Sequence, residues 1–338
     1  MNRPIYKLRD WIDPTKLNWF YTTFLTNSID FLKENPQYID WTSLCYNSNA
    51  IELIEKNLDK VNWDSLCTNN ENAISLLEKN QDKINWKILS NNIYAIKLLE
   101  KNQDKIDWFD LSYNINAISI IEKNLDKIDW YMLSGNQNAI HILEKNVDKI
   151  NWCKLSGNPN GIKILEQNQD KIDWYMLSRN PNAIKLLKQN QDKIIWSQLS
   201  LNFNAIDLLK ENKNKIDWSK LSRNQYAIDL LEERNFEIDW NLVSIYPNAI
   251  DLLKRNQDKI DWRTLSSNYN AIDFLEKNVD KIDISWLSLN ENIFVLDYQK
   301  MRENFEPMYQ EIIKEVMRPD RMKKNLELYG YDVEDMFD

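Results

Sequence analysis

The sequence is poor in the residues from which most enzymes build their sites. Histidine occurs once, as His141, and the three cysteines, Cys45, Cys67 and Cys153, are odd in number and lack metal-ligand spacing. This argues against a His/Cys zinc cluster and leaves no Ser–His pair away from one residue. It also implies no disulfide framework, so a reducing compartment is expected. Four glycines and eight prolines are too few for a turn-rich all-β fold, a glycine-rich nucleotide loop or an active site on long loops. No run approaches the roughly eighteen apolar residues of a bilayer span, and the first ten residues hold no apolar stretch of signal-peptide length. Basic charge is short as well: the formal net charge is −9 and the pI about 5.0, a poor basis for gripping phosphates. The expectation is a soluble intracellular protein without enzymatic activity, cofactor or metal.

Apolar residues, at 43%, are ample for a core, and tryptophan shows how they are arranged. Trp19, Trp41, Trp63, Trp86, Trp108, Trp130, Trp152, Trp174, Trp196, Trp218, Trp240 and Trp262 stand 22 residues apart, except for one step of 23. The extra residue falls in the turn between Cys67 and Ala73. The next place in the ladder is Ile284, with Trp286 displaced by two. In the unit 130–151, Trp130, Leu133 and small Ser134 fall on one helical face, and Ala139, Ile140, Ile142 and Leu143 form a second stripe. Asp or Asn precedes nearly every ladder tryptophan, Ile195 being the exception, which predicts N-caps. Asn138 is placed to cap the second helix. Each unit thus reads as a helix of roughly seven residues, an Asn-rich turn and a helix of roughly nine.

The fold class expected is all-α: a right-handed-type α-solenoid of about twelve 22-residue two-helix repeats. A leucine-rich-repeat-like solenoid is the alternative, because Leu-Ser-x-Asn and this period occur there. It needs a Leu-x-Leu strand, whereas the spacing here is Trp-x-x-Leu followed by Ala-Ile-x-Leu-Leu. Helices this short persist only by stacking. Layers about 8–10 Å apart predict an elongated array of roughly 100–120 Å, less any curvature. Residues 1–40 read as an N-terminal cap with a first degenerate repeat and 41–293 as the tandem array. Residues 294–338 read as capping helices, with an amphipathic segment over Arg302–Met317, and an acidic tail.

The unit Trp-x-x-Leu-Ser-x-Asn-Pro-Asn-Ala-Ile-x-Leu-Leu-Glu-x-Asn-x-Asp-Lys-Ile resembles the tandem repeats of uncharacterised proteins of giant DNA viruses of the mimivirus kind. The opening Tyr6-Lys-Leu-Arg-Asp-Trp-Ile12 and the closing Met317-Arg-Pro-Asp-Arg321 and Tyr329-Gly-Tyr-Asp332 are similar to the ends of those chains. The resemblance implies an AT-rich viral origin, matching the abundance of Asn, Lys, Ile and Asp, and action in the cytoplasm of an infected host cell or in the virion. It transfers no catalytic residue.

Candidate chemistry is weighed against plainer roles. The tryptophans could stack bases, but their Ile/Leu flanks place them in a core. Cys45 and Cys67 stand where later units have Ser90, Ser112 and Ser134, and read as small contact residues; Cys153 and His141 occupy variable, surface-type places. The recurrent Asp-Lys pair, as in Asp126-Lys127, reads as architecture. Recognition must come from departures from the unit. After the ladder tryptophans stand Phe109, Tyr131, Met132, Tyr175 and Met176, with Tyr113 one turn on; aromatic and Met clusters suit protein contact. The second helices pass from a basic row (Lys163, Lys185, Lys188) to an acidic block of Asp207, Glu211, Asp229, Glu232 and Glu233. The functional expectation is a protein-binding scaffold with a viral or host partner. A nucleic-acid-binding helical repeat and a structural spacer of a viral particle are the alternatives.

Overall fold

The computed structural model describes residues 4–68, 70–233, 238–318, 321, 322 and 328. Within them the chain is a succession of short helix pairs. A first helix, here called A, begins at each ladder tryptophan and at Ile284, giving thirteen A helices of four to six residues. A second, B, follows on the Ala-Ile stripe, as in Ile140–Lys145 or Ile184–Gln189. In many units a three-residue 3-10 turn such as Pro181–Ala183 leads straight into B, so the roughly nine-residue stretch expected is part 3-10 and part α. The A helices are shorter than expected because the recurrent Asn of the turn leaves helical geometry at once: Asn136, after Trp130–Gly135, is extended (φ −74°, ψ 116°).

The anticipated caps form. Asp129 accepts from the Met132 N–H at 2.8 Å, and the pattern recurs from Asn18 to Asp283; Ile195 has no side-chain cap. The second cap is corrected. Asn138 does not cap the B helix but donates to the Ile115 carbonyl of the unit before, at 2.9 Å. The turn is made by Asn136, whose Oδ1 accepts from the Asn138 N–H at 3.0 Å.

Two buried polar residues per unit stitch the stack. The Asn136 amide donates to the carbonyls of Ser112 and Asn114 in the preceding unit, both at 3.1 Å, and equivalent bonds run from Asn47 to Asn290. Ser134 Oγ donates to the Trp130 carbonyl at 2.7 Å and accepts from the Asn151 N–H of the next unit at 2.9 Å. Buried polar groups are costly unless paired, so this ladder ties polar satisfaction to the correct stacking of neighbours. Around it packs an apolar core, represented by Leu133, Ala139, Ile142, Leu143 and Ile150. The tryptophans flank this core and are only half-buried. The outer face of the Trp130 ring is covered by the Lys149 ammonium, 4.8 Å from its centroid, and seven other ladder rings from Trp41 to Trp262 carry a lysine likewise. The lysine of the Asp-Lys pair is therefore a lid on the tryptophan of its own unit, a cation over a π-face.

The elongated array is also corrected, because the stack closes on itself. Strand β1 (Tyr6–Leu8) pairs antiparallel with β2 (Phe294–Leu296), with Lys7 opposite Val295. The Asn18 N–H donates to Ser288 Oγ at 2.8 Å, the bond that each unit makes to the one before it, here joining the first unit to the last. Thr22 Oγ1 reaches the Ser288 carbonyl, the Arg9 N–H meets the Ile293 carbonyl and the Arg9 side chain donates to the Asn292 carbonyl. Arg9 also pairs with Asp273 and Glu276, and Lys300 with Glu34. The terminal segments thus cover each other.

Most neighbouring A helices pack directly on one another, whereas no neighbouring B helices pack as closely. In a closed array the tighter layer is the inner one, so A helices form the inner wall and B helices the outer. Thirteen A helices spaced about 8–10 Å apart give an inner circuit of roughly 100–130 Å, or about 33–41 Å across.

Candidate protein-binding surfaces

The inner wall carries the positions just after each ladder residue and one turn beyond. Phe109, Tyr131 and Tyr175 project there, each about half exposed (50%, 49% and 55%). The ladder bonds around them are unchanged: Ser112, Ser134 and Ser178 keep theirs to the backbone. These rings therefore contribute little that the stack requires.

Their neighbours are partly occupied within the chain. A Cβ at Gly135 would lie 3.1 Å from the Tyr113 ring, and one at Gly157 only 2.9 Å from Met176 Cε. Tyr113 thus lies across the following unit and Met176 reaches back over the preceding one, with the two glycines making room. Met132 is half-buried. Lys154 sits 4.6 Å from the Tyr131 ring centroid. Of the six aromatic and methionine residues expected to meet a partner, Phe109, Tyr113, Tyr131 and Tyr175 are each about half exposed and line one wall, with Tyr113 and Tyr131 each also touching the following unit.

The same wall shows features not singled out from the sequence. Phe20, Tyr21, Phe24 and Tyr46 are exposed beside the closure, with Phe24 and Tyr46 centroids 6.0 Å apart. Phe20, Tyr21 and Phe24 lie in the N-terminal cap expected over residues 1–40 and Tyr46 in the array beyond it, and nothing local in the sequence says that the two ends meet. From Tyr131 onward, the wall positions carry Lys154, Arg179, Lys220, Arg223 and Arg263 and no carboxylate. Summed over this wall the sign is opposite to that of the whole chain. On the earlier stretch Asp64 and Asp110 are the counterweights, beside Lys87; burial first, and then Asp107, push the Asp110 carboxyl up from the usual range.

The outer wall differs in kind. Asp207, Glu211, Asp229, Glu232 and Glu233 are all exposed, but Glu211 pairs with Lys188, Glu233 with Lys213 and Glu232 with Arg255, each partner lying in an adjacent unit. Further back, Lys163–Glu144, His141–Glu122 and Lys101–Glu78 repeat the arrangement. The acidic block is thus largely spent on cross-unit pairing, and only Asp207 and Asp229 lack an ion pair among the described residues. The two surfaces lie on opposite walls, so no compact partner touches both.

Cys45 and Cys67 are buried, and Cys45 Sγ donates to the Trp41 carbonyl as a serine would. Burial pushes both thiols up, that of Cys67 to about 11, so neither is a ready nucleophile. Cys153 is exposed, yet partial burial and Asp173 raise its thiol too. Where Tyr246 replaces the ladder asparagine, its hydroxyl donates to the Ser222 carbonyl at 2.8 Å. Among the described residues no cluster of His, Cys, Asp and Glu has metal-binding geometry, and no helix is long and apolar enough to cross a membrane.

What fold and surface define is a closed helical-repeat ring with two chemically distinct walls. Comparison with protein-family models, with curated proteins and with solved structures finds no match.

Proposed function

We propose that the ring is a non-enzymatic scaffold that binds another protein along its inner wall. The observation that carries this is the set of half-exposed rings at Phe109, Tyr131 and Tyr175, in units whose stacking bonds are complete without them. Large apolar side chains left exposed by a scaffold that does not need them are typical anchors of interfaces. The cations from Lys154 to Arg263 favour a partner segment bearing carboxylates and would speed its encounter in a salt-sensitive way. On the resemblance of its unit to giant-virus repeats, we place this activity inside an infected host cell.

The test compares wild type with Tyr131→Ala/Tyr175→Ala and, as an outer-wall control, Glu211→Gln/Glu232→Gln, in affinity purification with quantitative mass spectrometry. A partner lost from the inner-wall variant and retained by the control is expected. If the outer-wall variant alone loses partners, the reading is wrong. From Tyr131 onward the wall chemistry, aromatic rings beside cations without carboxylates, also suits a single-stranded nucleic acid. Nuclease treatment before capture separates that outcome.

A further inference from the structure

Two asparagines recur in the turn of most units, and in one pair of adjoining units tyrosine replaces one of each. Elsewhere the first donates both amide hydrogens to carbonyls of the preceding unit, as Asn202 does to Ser178 and Asn180. The second donates to one carbonyl more, as Asn204 does to Pro181. Tyr226 stands in the second place, and Tyr246 in the first place of the next unit. A phenol has a single hydrogen to give. Tyr246 spends it on Ser222, so the Asn224 carbonyl keeps only its backbone bond from Ala227. The Phe203 carbonyl likewise lacks the amide bond that its counterparts Pro181 and Gln225 receive in the units on either side.

At this place a cleft of about 310 Å³ lies on the rim of the inner wall, lined by Leu201, Phe203, Arg223, Asn224, Tyr226 and Tyr246. Its size is at the small end of ligand sites. The exposed Phe203 and Tyr226 rings stand 5.8 Å apart, inclined at 44°. Arg223 is exposed and has no ion pair among the described residues. The cleft therefore offers an apolar seat, a free guanidinium and two carbonyls with acceptor capacity to spare. A peptide with an aromatic side chain beside a carboxylate answers all three, since its backbone N–H groups replace the missing amides.

The chain carries such a segment itself. Residues 331–338, outside the described residues, read Tyr-Asp-Val-Glu-Asp-Met-Phe-Asp, with four carboxylates and no cation. We propose that this segment docks on the inner wall of its own ring, with Phe337 seated against Phe203 and Tyr226 and the Asp338 carboxylate on Arg223. Arg179, Lys220 and Arg263 along the same wall attract the remaining carboxylates. Reach is sufficient: even wholly helical, residues 297–330 span about 50 Å, more than the roughly 33–41 Å across the inner circuit. Tethering supplies an effective concentration on the order of 1 mM, which keeps the segment docked if the free peptide binds at about 10–100 µM. An acidic partner must then displace it, although the docking itself does not depend on such a partner.

The experiment measures fluorescence anisotropy of a labelled peptide of residues 329–338 against full-length chains. A chain carrying Phe337→Ala/Asp338→Asn, its own segment disabled, should bind the peptide. Wild type should bind it at least about tenfold more weakly, because its tethered segment competes. In the disabled background Arg223→Gln should weaken binding by roughly tenfold or more. Tyr226→Asn should do the same while restoring the asparagine of the other units, so a ring that remains folded by circular dichroism loses its peptide. No binding by the disabled chain, equal binding by wild type, or binding indifferent to both Arg223→Gln and Tyr226→Asn would each overturn the proposal. So would competition that appears only as wild-type concentration rises, since the segment would then serve a second copy. The Tyr131→Ala/Tyr175→Ala variant tests the external partner separately, because neither ring lines the cleft.

Discussion

Asn136 donates both hydrogens of its amide to carbonyls of the preceding unit, while its oxygen turns the chain toward the next helix. Asn138, two residues on, makes one exposed bond. The sequence shows both as a plain Asn-x-Asn, and hydrogen-bonding capacity alone does not rank them. Burial does. Asn136→Ala leaves two buried carbonyls unpaired and removes the turn bond, at a cost of about 2–4 kcal/mol. Asn138→Ala should cost under about 1 kcal/mol, as an exposed neutral bond does. Denaturant titration measures the difference, and hydrogen exchange should show the first lesion centred on units 108–157. Equal effects would mean that the ladder does not hold the stack.

At the scale of the helix, the A segments were legible because every local signal agreed: a capping Asp or Asn, an aromatic, a leucine three residues on, and a small residue after it. The one dissenting cap is a natural experiment. Ile195 precedes Trp196 with no side-chain bond to the helix start, and it is 38% exposed. Ile195→Asp should supply the missing acceptor and stabilise the unit by about 1 kcal/mol, seen as a higher midpoint with an unchanged m-value. A loss of stability would show that its partial packing outweighs the cap. The B helices were legible in extent but not in character, since apolar spacing does not separate a 3-10 entry from an α one. What each tryptophan touches was legible only in part. Its Ile and Leu flanks mark one ring face as core, but the lysine nineteen residues later gives no periodic sign that it lies over the other. The paired charges of the outer wall were similarly hidden: reading each unit alone made an acidic block of side chains whose partners sit one unit away.

Closure belongs to the whole molecule and rests on contacts between residues almost a full chain apart, such as Asn18 with Ser288. No repeat pattern encodes β1 or β2, so the ends read from sequence as separate caps rather than as two halves of one clasp. Leu8→Asp together with Arg9→Ala should break that clasp, because Leu8 is buried and Arg9 holds a carbonyl and two carboxylates across the seam. Small-angle scattering should then show a larger radius of gyration than wild type, with helical content preserved. An unchanged radius would mean that the remaining seam contacts suffice, and a collapse of helicity would mean that closure is required for folding.

A clasped ring also bears on how such a chain can change over generations. An open stack accepts the duplication or loss of a unit at little cost, since each layer answers only to its neighbours. Here each of thirteen A helices takes an equal share of a full turn, about 28° apiece for equal packing units. Deleting 22 residues such as 152–173 leaves a gap that all the remaining interfaces must share or the clasp must forfeit. The single extra residue near Cys67 was absorbed in a turn; a whole extra unit has no turn to hide in. Copy number, free to drift in most tandem arrays, is here fixed by circumference.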